Sequence, residues 1–124
     1  MKITRFEDIE GSQLARDLTK SVYAIATKGL FAKDYGLKDQ ITRAAGSSMH
    51  NIAEGFDSGT NPEFIKFLRY SQRSCTEVKS QLYIALDQDY ITITQFDQLY
   101  EQTDKTHSKI GGFIRYLSTT IRPK

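Results

Sequence analysis

The chain has one cysteine, two prolines and no tryptophan among its 124 residues. A single cysteine, Cys75, excludes an intrachain disulfide framework and suits a reducing compartment. Two prolines, set against many Ala, Leu, Ile, Lys and Gln residues, leave helix formation nearly unobstructed. Strand signals are missing, because the one alternating stretch, residues 90–96, is short and carries the caps of a helix start. No run approaches the ~18 uninterrupted apolar residues that a membrane span needs. Residues 1–8 lack an apolar signal core, so a cytoplasmic protein with no membrane contact is expected. There is no P-loop and no dinucleotide fingerprint. His50 and His107 are far apart and lack metal-ligand spacing; His107 reads as a packing or interface histidine. Glu54 and Glu77 suggest the carboxylate pair of a bundle metal site, but the Glu-x-x-His partners of such sites are absent. These absences lead us to expect no cofactor, no metal and no enzymatic activity.

What is present supports one helical domain. Hydrophobic residues make up 39%, enough for a single core at this length. Net charge is only +2, but its distribution is uneven. Residues 87–104 carry Asp87, Asp89, Asp97, Glu101 and Asp104 and no base, whereas residues 105–124 carry Lys105, Lys109, Arg115, Arg122 and Lys124 and no acid. Within one helix that order complements the dipole, which is the more economical reading; the basic end also suits an anionic partner.

The most informative stretch is residues 40–55. At about 100° per residue, Leu37, Ile41, Ala44, Ala45, Ser48 and Ile52 share one face. Gln40, Arg43, Ser47, Asn51 and Glu54 form an adjoining polar strip spaced three or four apart. A polar strip beside a core seam predicts an internal hydrogen-bond network or a subunit contact, with Glu54 or Glu77 pairing with Arg43, Arg73, Asn51 or Ser74.

The period predicts four helices. The first covers about 9–28, with Asp8 as its cap, Leu14, Leu18, Val22 and Ile25 as its seam, and Lys28-Gly29 at its end. A connector with two apolar anchors, Leu30 and Phe31, leads to a second helix at about 35–56, capped by Asp34 and closing at Gly55. Gly46, in its middle, marks a place for a close neighbouring helix. After the turn-forming run Asp57-Ser58-Gly59-Thr60-Asn61, the third helix starts at Asn61-Pro62-Glu63, with Asn61 as cap, and runs to about Asp87. Its wide apolar face holds Phe64, Phe67, Leu68, Ser71, Cys75, Val78, Leu82, Ala85 and Leu86, so Cys75 reads as a small buried hydrophobe. Thr92-Ile93-Thr94-Gln95 matches a capping box for a fourth helix reaching about Thr119, with Phe96, Leu99, Thr103, Ile110, Ile114, Leu117 and Ile121 aligned. Gly111-Gly112 weakens it unless backbones approach there. Short connections make this an all-α, antiparallel up-down-up-down four-helix bundle, one domain over residues 1–124.

Outside the core face, Tyr70, Tyr83 and Ile84 accompany Lys66, Arg69, Arg73 and Glu77 on the third helix, and Tyr116 points away from the fourth seam. Tyrosine with arginine is enriched at protein interfaces, so Tyr70, Tyr83 and Tyr116 are interface candidates and self-association is expected. Scattered surface aromatics are the plainer alternative.

The chain resembles the bacterial four-helix-bundle proteins named after open reading frames inside intervening sequences of the 23S ribosomal RNA gene. The likeness begins at Phe6-Glu7-Asp8-Ile9 and passes through Tyr23 and Tyr35-Gly36-Leu37. It is strongest from Gln40 through Arg43-Ala44-Ala45, Ser48 and Asn51-Ile52-Ala53-Glu54-Gly55, and resumes at Glu63-Phe64, Phe67-Leu68, Ser74 and Glu77. Two positions depart from the pattern. The family usually has a tryptophan where this chain has Gly11-Ser12, and often a proline where it has Ala32, so the first helix is expected to start later or pack differently. The resemblance implies a ring-like homopentamer and brings no established activity. The family is similar to accessory proteins of diversity-generating retroelements, pentameric bundles whose basic surface engages nucleic acid and reverse transcriptase. Its ribosomal RNA name describes gene location, not ribosome binding.

Two functions follow as expectations. Lys66, Arg69 and Arg73 form a stripe opposite the apolar face, with Tyr70 alongside, suited to tracking the phosphates of RNA or DNA. The plainer reading is a solvated face with Arg73 and Glu77 paired at i,i+4. The alternative function is a scaffold that positions a protein partner through Tyr70, Tyr83 and Tyr116 and touches no nucleic acid.

Overall fold

The computed structural model describes residues 3–120. Four helices follow one another: α1 (Glu10–Ala26), α2 (Tyr35–Asp57), α3 (Asn61–Asp87) and α4 (Ile93–Ser118), with short 3-10 turns at Phe6–Asp8 and Phe31–Lys33. No strand occurs among the described residues. Each helix packs on the two beside it, so the bundle is a square in which the α1/α4 edge lies opposite the α2/α3 edge. Neighbours run antiparallel: Ser71 meets Ser48 while Phe64 meets Gly55, and Lys79 meets Asp104 while Gln72 meets His107. The fold is the expected all-α up-down-up-down bundle.

The caps explain where the helices begin. Asp34 accepts from Leu37 N at 3.1 Å, as its position before α2 predicts. The Asp34 carboxylate also accepts from the Tyr90 hydroxyl at 3.0 Å, a bond that raises the Tyr90 pKa and ties the start of α2 to the α3–α4 turn. At α4 the capping box forms as read: Gln95 N donates to Thr92 Oγ1 at 3.1 Å and Thr92 N to Gln95 Oε1 at 2.8 Å.

Two expected caps are displaced. Asp8 does not cap α1. Ile9 occupies that position and is buried, and Asp8 turns back to accept from Thr4 N at 3.0 Å, from the Thr4 hydroxyl at 3.1 Å and from Arg5 N at 3.3 Å. These bonds, the Thr4 amide foremost, hold its carboxyl below the usual range. Asn61 does not cap α3 either. Thr60 is extended there and accepts from Glu63 N, leaving Asn61 as the first helical residue. Asn61 Nδ2 instead donates to Leu117 O at 3.1 Å and Thr120 O at 2.6 Å, fastening the end of α4.

The core is built in two storeys. Leu18, Val22, Phe31, Ile41, Val78, Leu82, Phe96 and Leu99 belong to one; Ile9, Ile52, Phe64, Leu68, Cys75, Ile110, Ile114 and Leu117 belong to the other. On α1 the buried seam is Ala15, Leu18, Val22 and Ala26, while Leu14 and Ile25 are only half-buried. Phe67 and Leu86 are likewise half-buried on α3; Ile121 lies outside the described residues, as do Arg122 and Lys124. Buried hydroxyls interrupt this apolar packing, each bonded: Ser48 to Ala45 O at 2.6 Å, Ser71 to Ser48 O at 2.5 Å, Thr103 to Leu99 O at 2.6 Å and Thr106 to Gln102 O at 2.8 Å.

The close approach expected at Gly46 is not there, since a Cβ on it would meet only His50 Nε2, at 3.8 Å. It occurs at Gly55, where a Cβ would lie 2.8 Å from Phe64 Cδ1 and 2.9 Å from Phe67 Cβ. The reason is the short connection, which folds the first turn of α3 directly onto the last turn of α2.

Candidate nucleic-acid interface

The first half of the α2 polar strip, Gln40, Arg43 and Ser47, faces Glu77, Ser80 and Ile84 of α3 across an open groove of about 590 Å³, whereas Asn51 and Glu54 line a separate depression with Tyr23 and His50. Its network is smaller than the sequence suggests. Ser47 Oγ accepts from Asn51 Nδ2 and from Ser74 Oγ, both at 3.0 Å, and Asn51 Nδ2 also reaches Ser47 O at 2.9 Å. Arg43 pairs with Asp39 one turn earlier, at 3.1 Å, and not with Glu54 or Glu77. Helical spacing supplies that nearer partner, and both groups are exposed enough for the pair to add little. Among the described residues no ion pair joins Glu54 or Glu77 to Arg43 or Arg73. In the same groove, Gln81 Oε1 is buried without a hydrogen-bond partner.

Lys66, Arg69 and Arg73 are exposed on the outward face of α3. None of them forms an ion pair with a described residue. The expected Arg73–Glu77 pair is replaced by a cation–π contact, with the guanidinium 5.5 Å from the Tyr70 ring centre. Tyr70 itself is half-buried and stands edge-on to Phe67 at 5.9 Å. The apolar surface read as one patch divides between two flanks. Ile84 lines the α2 groove, whereas Tyr83 packs on Phe96 at 4.9 Å and Tyr100 at 6.0 Å on the α4 side. Tyr116 is half-exposed and stacks on Phe113, with centroids 6.0 Å apart and planes inclined by 12°.

Several long-range contacts carry no local signal in the sequence. Lys79 Nζ meets Asp104 Oδ1 at 2.7 Å and lies 5.0 Å from the Tyr100 ring centre. The Asp104 hydrogen bond raises the Lys79 pKa, and the same bond lowers that of Asp104. Beside them, burial first and Lys79 second push His107 below its ordinary value. Lys109 Nζ pairs with Glu10 at 3.4 Å across the α1/α4 edge. The Gly111-Gly112 pair does not mark a backbone contact. A Cβ on Gly111 would meet a side chain, Gln72 Nε2 at 3.1 Å, and one on Gly112 would meet only Arg115 Nη2 at 3.6 Å.

The arrangement offers charge and shape more than reaction chemistry. Desolvation pushes the Cys75 thiol up to about 12, so it stays protonated and unreactive at neutral pH. No cluster of three or more His, Cys, Asp or Glu side chains suited to a metal occurs among the described residues. No helix of the described residues is long and apolar enough to cross a membrane.

Comparison with curated proteins gives no match. Among solved structures, the chain is similar to a protein of unknown function from the S23 ribosomal protein family of Bacteroides thetaiotaomicron, with a TM-score of 0.77 at 18% identity over 85% of this chain and 98% of that one. At that identity the likeness speaks for the fold. The family model described as 23S rRNA-intervening sequence protein matches residues 7–112, a span that takes in the polar strip of α2, the cationic face of α3 and most of α4. The chain therefore belongs to the 23S rRNA-intervening sequence protein family.

Proposed function

We propose that the protein is a non-enzymatic homo-oligomer, a ring of five by its family resemblance, that works in the cytoplasm and holds nucleic acid on the outward face of α3 as an accessory factor of a ribonucleoprotein or retroelement-type complex. The observation that supports this reading is the freedom of Lys66, Arg69 and Arg73 from carboxylate partners among the described residues. Cations that are not already neutralised release counterions when phosphates replace them, which is the main source of sequence-independent affinity. Repetition around a ring multiplies a weak contact of this kind without adding new chemistry.

The test is the double variant Lys66→Glu with Arg69→Glu, read by anisotropy of a labelled oligonucleotide across a salt series. Wild-type affinity should fall steeply with ionic strength, and the double variant should lose binding at every salt concentration. Unchanged affinity in the variant would remove the α3 face from the reading. Native mass spectrometry of the wild type at low salt gives the assembly size, and a nuclease-sensitive increment would identify bound nucleic acid.

A second reading, a protein-interaction scaffold, is favoured by the α2/α3 groove. The exposed Ile84 there offers an apolar contact among polar neighbours, and Gln81 beside it has a buried Oε1 with no donor among the described residues. Salt separates the two, because an apolar contact keeps its affinity as ionic strength rises.

A further inference from the structure

On the edge of the bundle away from the α2/α3 groove, the start of α1 and the later turns of α4 enclose a pocket of about 270 Å³. Ile3 and Ile9 form one side, and the near-parallel rings of Phe113 and Tyr116 form the other. Gly11 and Gly112 line it as bare backbone, although a side chain on Gly11 would point at Ile110 in the core. An apolar cavity of about 150 Å³ accommodates benzene, so this space has room for a larger flat ring system. Its rim is charged, with the Glu10–Lys109 pair at 3.4 Å and both side chains about half exposed at 55% and 45%. The carboxylate keeps lone pairs for an amino or ring N–H donor, and the ammonium keeps donors for an oxygen. A flat apolar body with polar edges is the chemistry of a nucleobase, which stacks on aromatic side chains and hydrogen-bonds along its edge.

The pocket also connects to the cationic face. Gly111 and Gly112 strip the outward surface of α4 between them, and Arg115 bends back over both, its guanidinium nitrogens 3.7 and 3.6 Å from where their Cβ atoms would be. From α3, Gln72 reaches Gly111 and donates to His107 O at 3.3 Å; it is the residue just before Arg73 and one turn after Arg69. Arg115 lies beside the Gln72 contact with α3, and Lys109 stands at the pocket rim, so α4 carries cations of its own between the α3 face and the pocket. Two adjacent glycines weaken the middle of a helix, and here the room they leave is taken by the Gln72 and Arg115 side chains in place of a backbone contact.

We infer that this pocket receives an unstacked base of a single-stranded nucleic acid whose phosphates follow the cationic path, so that the protein distinguishes single strands from duplex. The inference rests on the nucleic-acid reading of the α3 face and adds a second, base-dependent site to it. A duplex keeps its bases stacked and cannot fill the pocket.

The experiment compares one labelled oligonucleotide in four forms at fixed salt: single-stranded RNA, single-stranded DNA, the DNA with abasic positions, and the duplex. Wild type should bind base-containing single strands about tenfold more tightly than the abasic strand, the scale of one base–aromatic stack. The better of the RNA and DNA arms identifies the natural source of the base. Tyr116→Ala, which removes one of the two rings on the pocket wall and no charge, should erase that preference while keeping the salt dependence. Circular dichroism confirms that the variant folds, and quenching of 2-aminopurine in a strand bound to wild type reports stacking without any variant. Equal affinity for base-containing and abasic strands, a preference that survives Tyr116→Ala in the folded variant, or unquenched 2-aminopurine would overturn the pocket while leaving the α3 face standing. No binding of any form would overturn both.

Discussion

A single methyl group at Gly55 would have nowhere to go. It would lie within 3 Å of the Phe64 ring and of Phe67 Cβ, and Phe64 is itself buried and edge-on to both Phe56 and Phe113. Neither neighbour ends in a flexible tail that can step aside, so Gly55→Ala should cost about 1–3 kcal/mol by overpacking, seen as a lower urea midpoint with helicity retained. Gly46→Ala, with only His50 Nε2 nearby, is the matched control that should lose nothing. His107 supplies a pH dependence at the same scale. Burial and Lys79 depress its pKa in the folded state, with Asp104 opposing them. As pH falls through about 6.5 the unfolded chain takes up the proton first, so stability declines from there downward until the folded imidazole is also protonated. His107→Gln should flatten that part of a plot of urea midpoint against pH. The Asp104–Lys79 pair does not confuse the measurement, because the lowered pKa of Asp104 places its own loss of stability in more acidic solution.

At the scale of the element, the ends of helices matter more than their middles. Asn61 belongs to α3 but secures α4, donating to two carbonyls in and just past its last turn. Asn61→Ala should cost about 0.5–1.5 kcal/mol, with the loss concentrated in faster amide exchange over the final turn of α4 and little change in α3. That tie also shows where sequence reasoning stops. The four helices were legible because apolar spacing, Asp34 and the Thr92–Gln95 box are all local signals, written within a few residues of what they specify. Thr60-Asn61 places two good cap residues side by side, and nothing local says which one faces the helix and which one faces α4. Lys79–Asp104, Gln72–His107 and Glu10–Lys109 depend on how far one helix is offset along another, which no single helix encodes. The polar strip was legible as a strip, but its partners were not. Asp39 claims Arg43 from the adjoining turn, and the expected partners Glu54 and Glu77 are left facing water.

At the scale of the molecule, the bundle presents unlike edges. One carries a polar groove with an unanswered acceptor, the other an aromatic pocket, and the cationic face of α3 lies between them across the α4 surface. Unlike faces on one body suit head-to-tail association, which closes into a ring when the rotation permits. The middle of the same body sets how its helices are registered along one another. Thr19 reaches Ala45 O, Ser71 reaches Ser48 O, Ser74 reaches Ser47 and Gln72 reaches His107 O, all at about mid-height between the two apolar storeys. A helix that slid by one turn would break these bonds between helices and leave the buried Ser71 hydroxyl without its Ser48 acceptor. The belt therefore opposes sliding along the helix axes, because each of its bonds fits one axial register and is lost in the next.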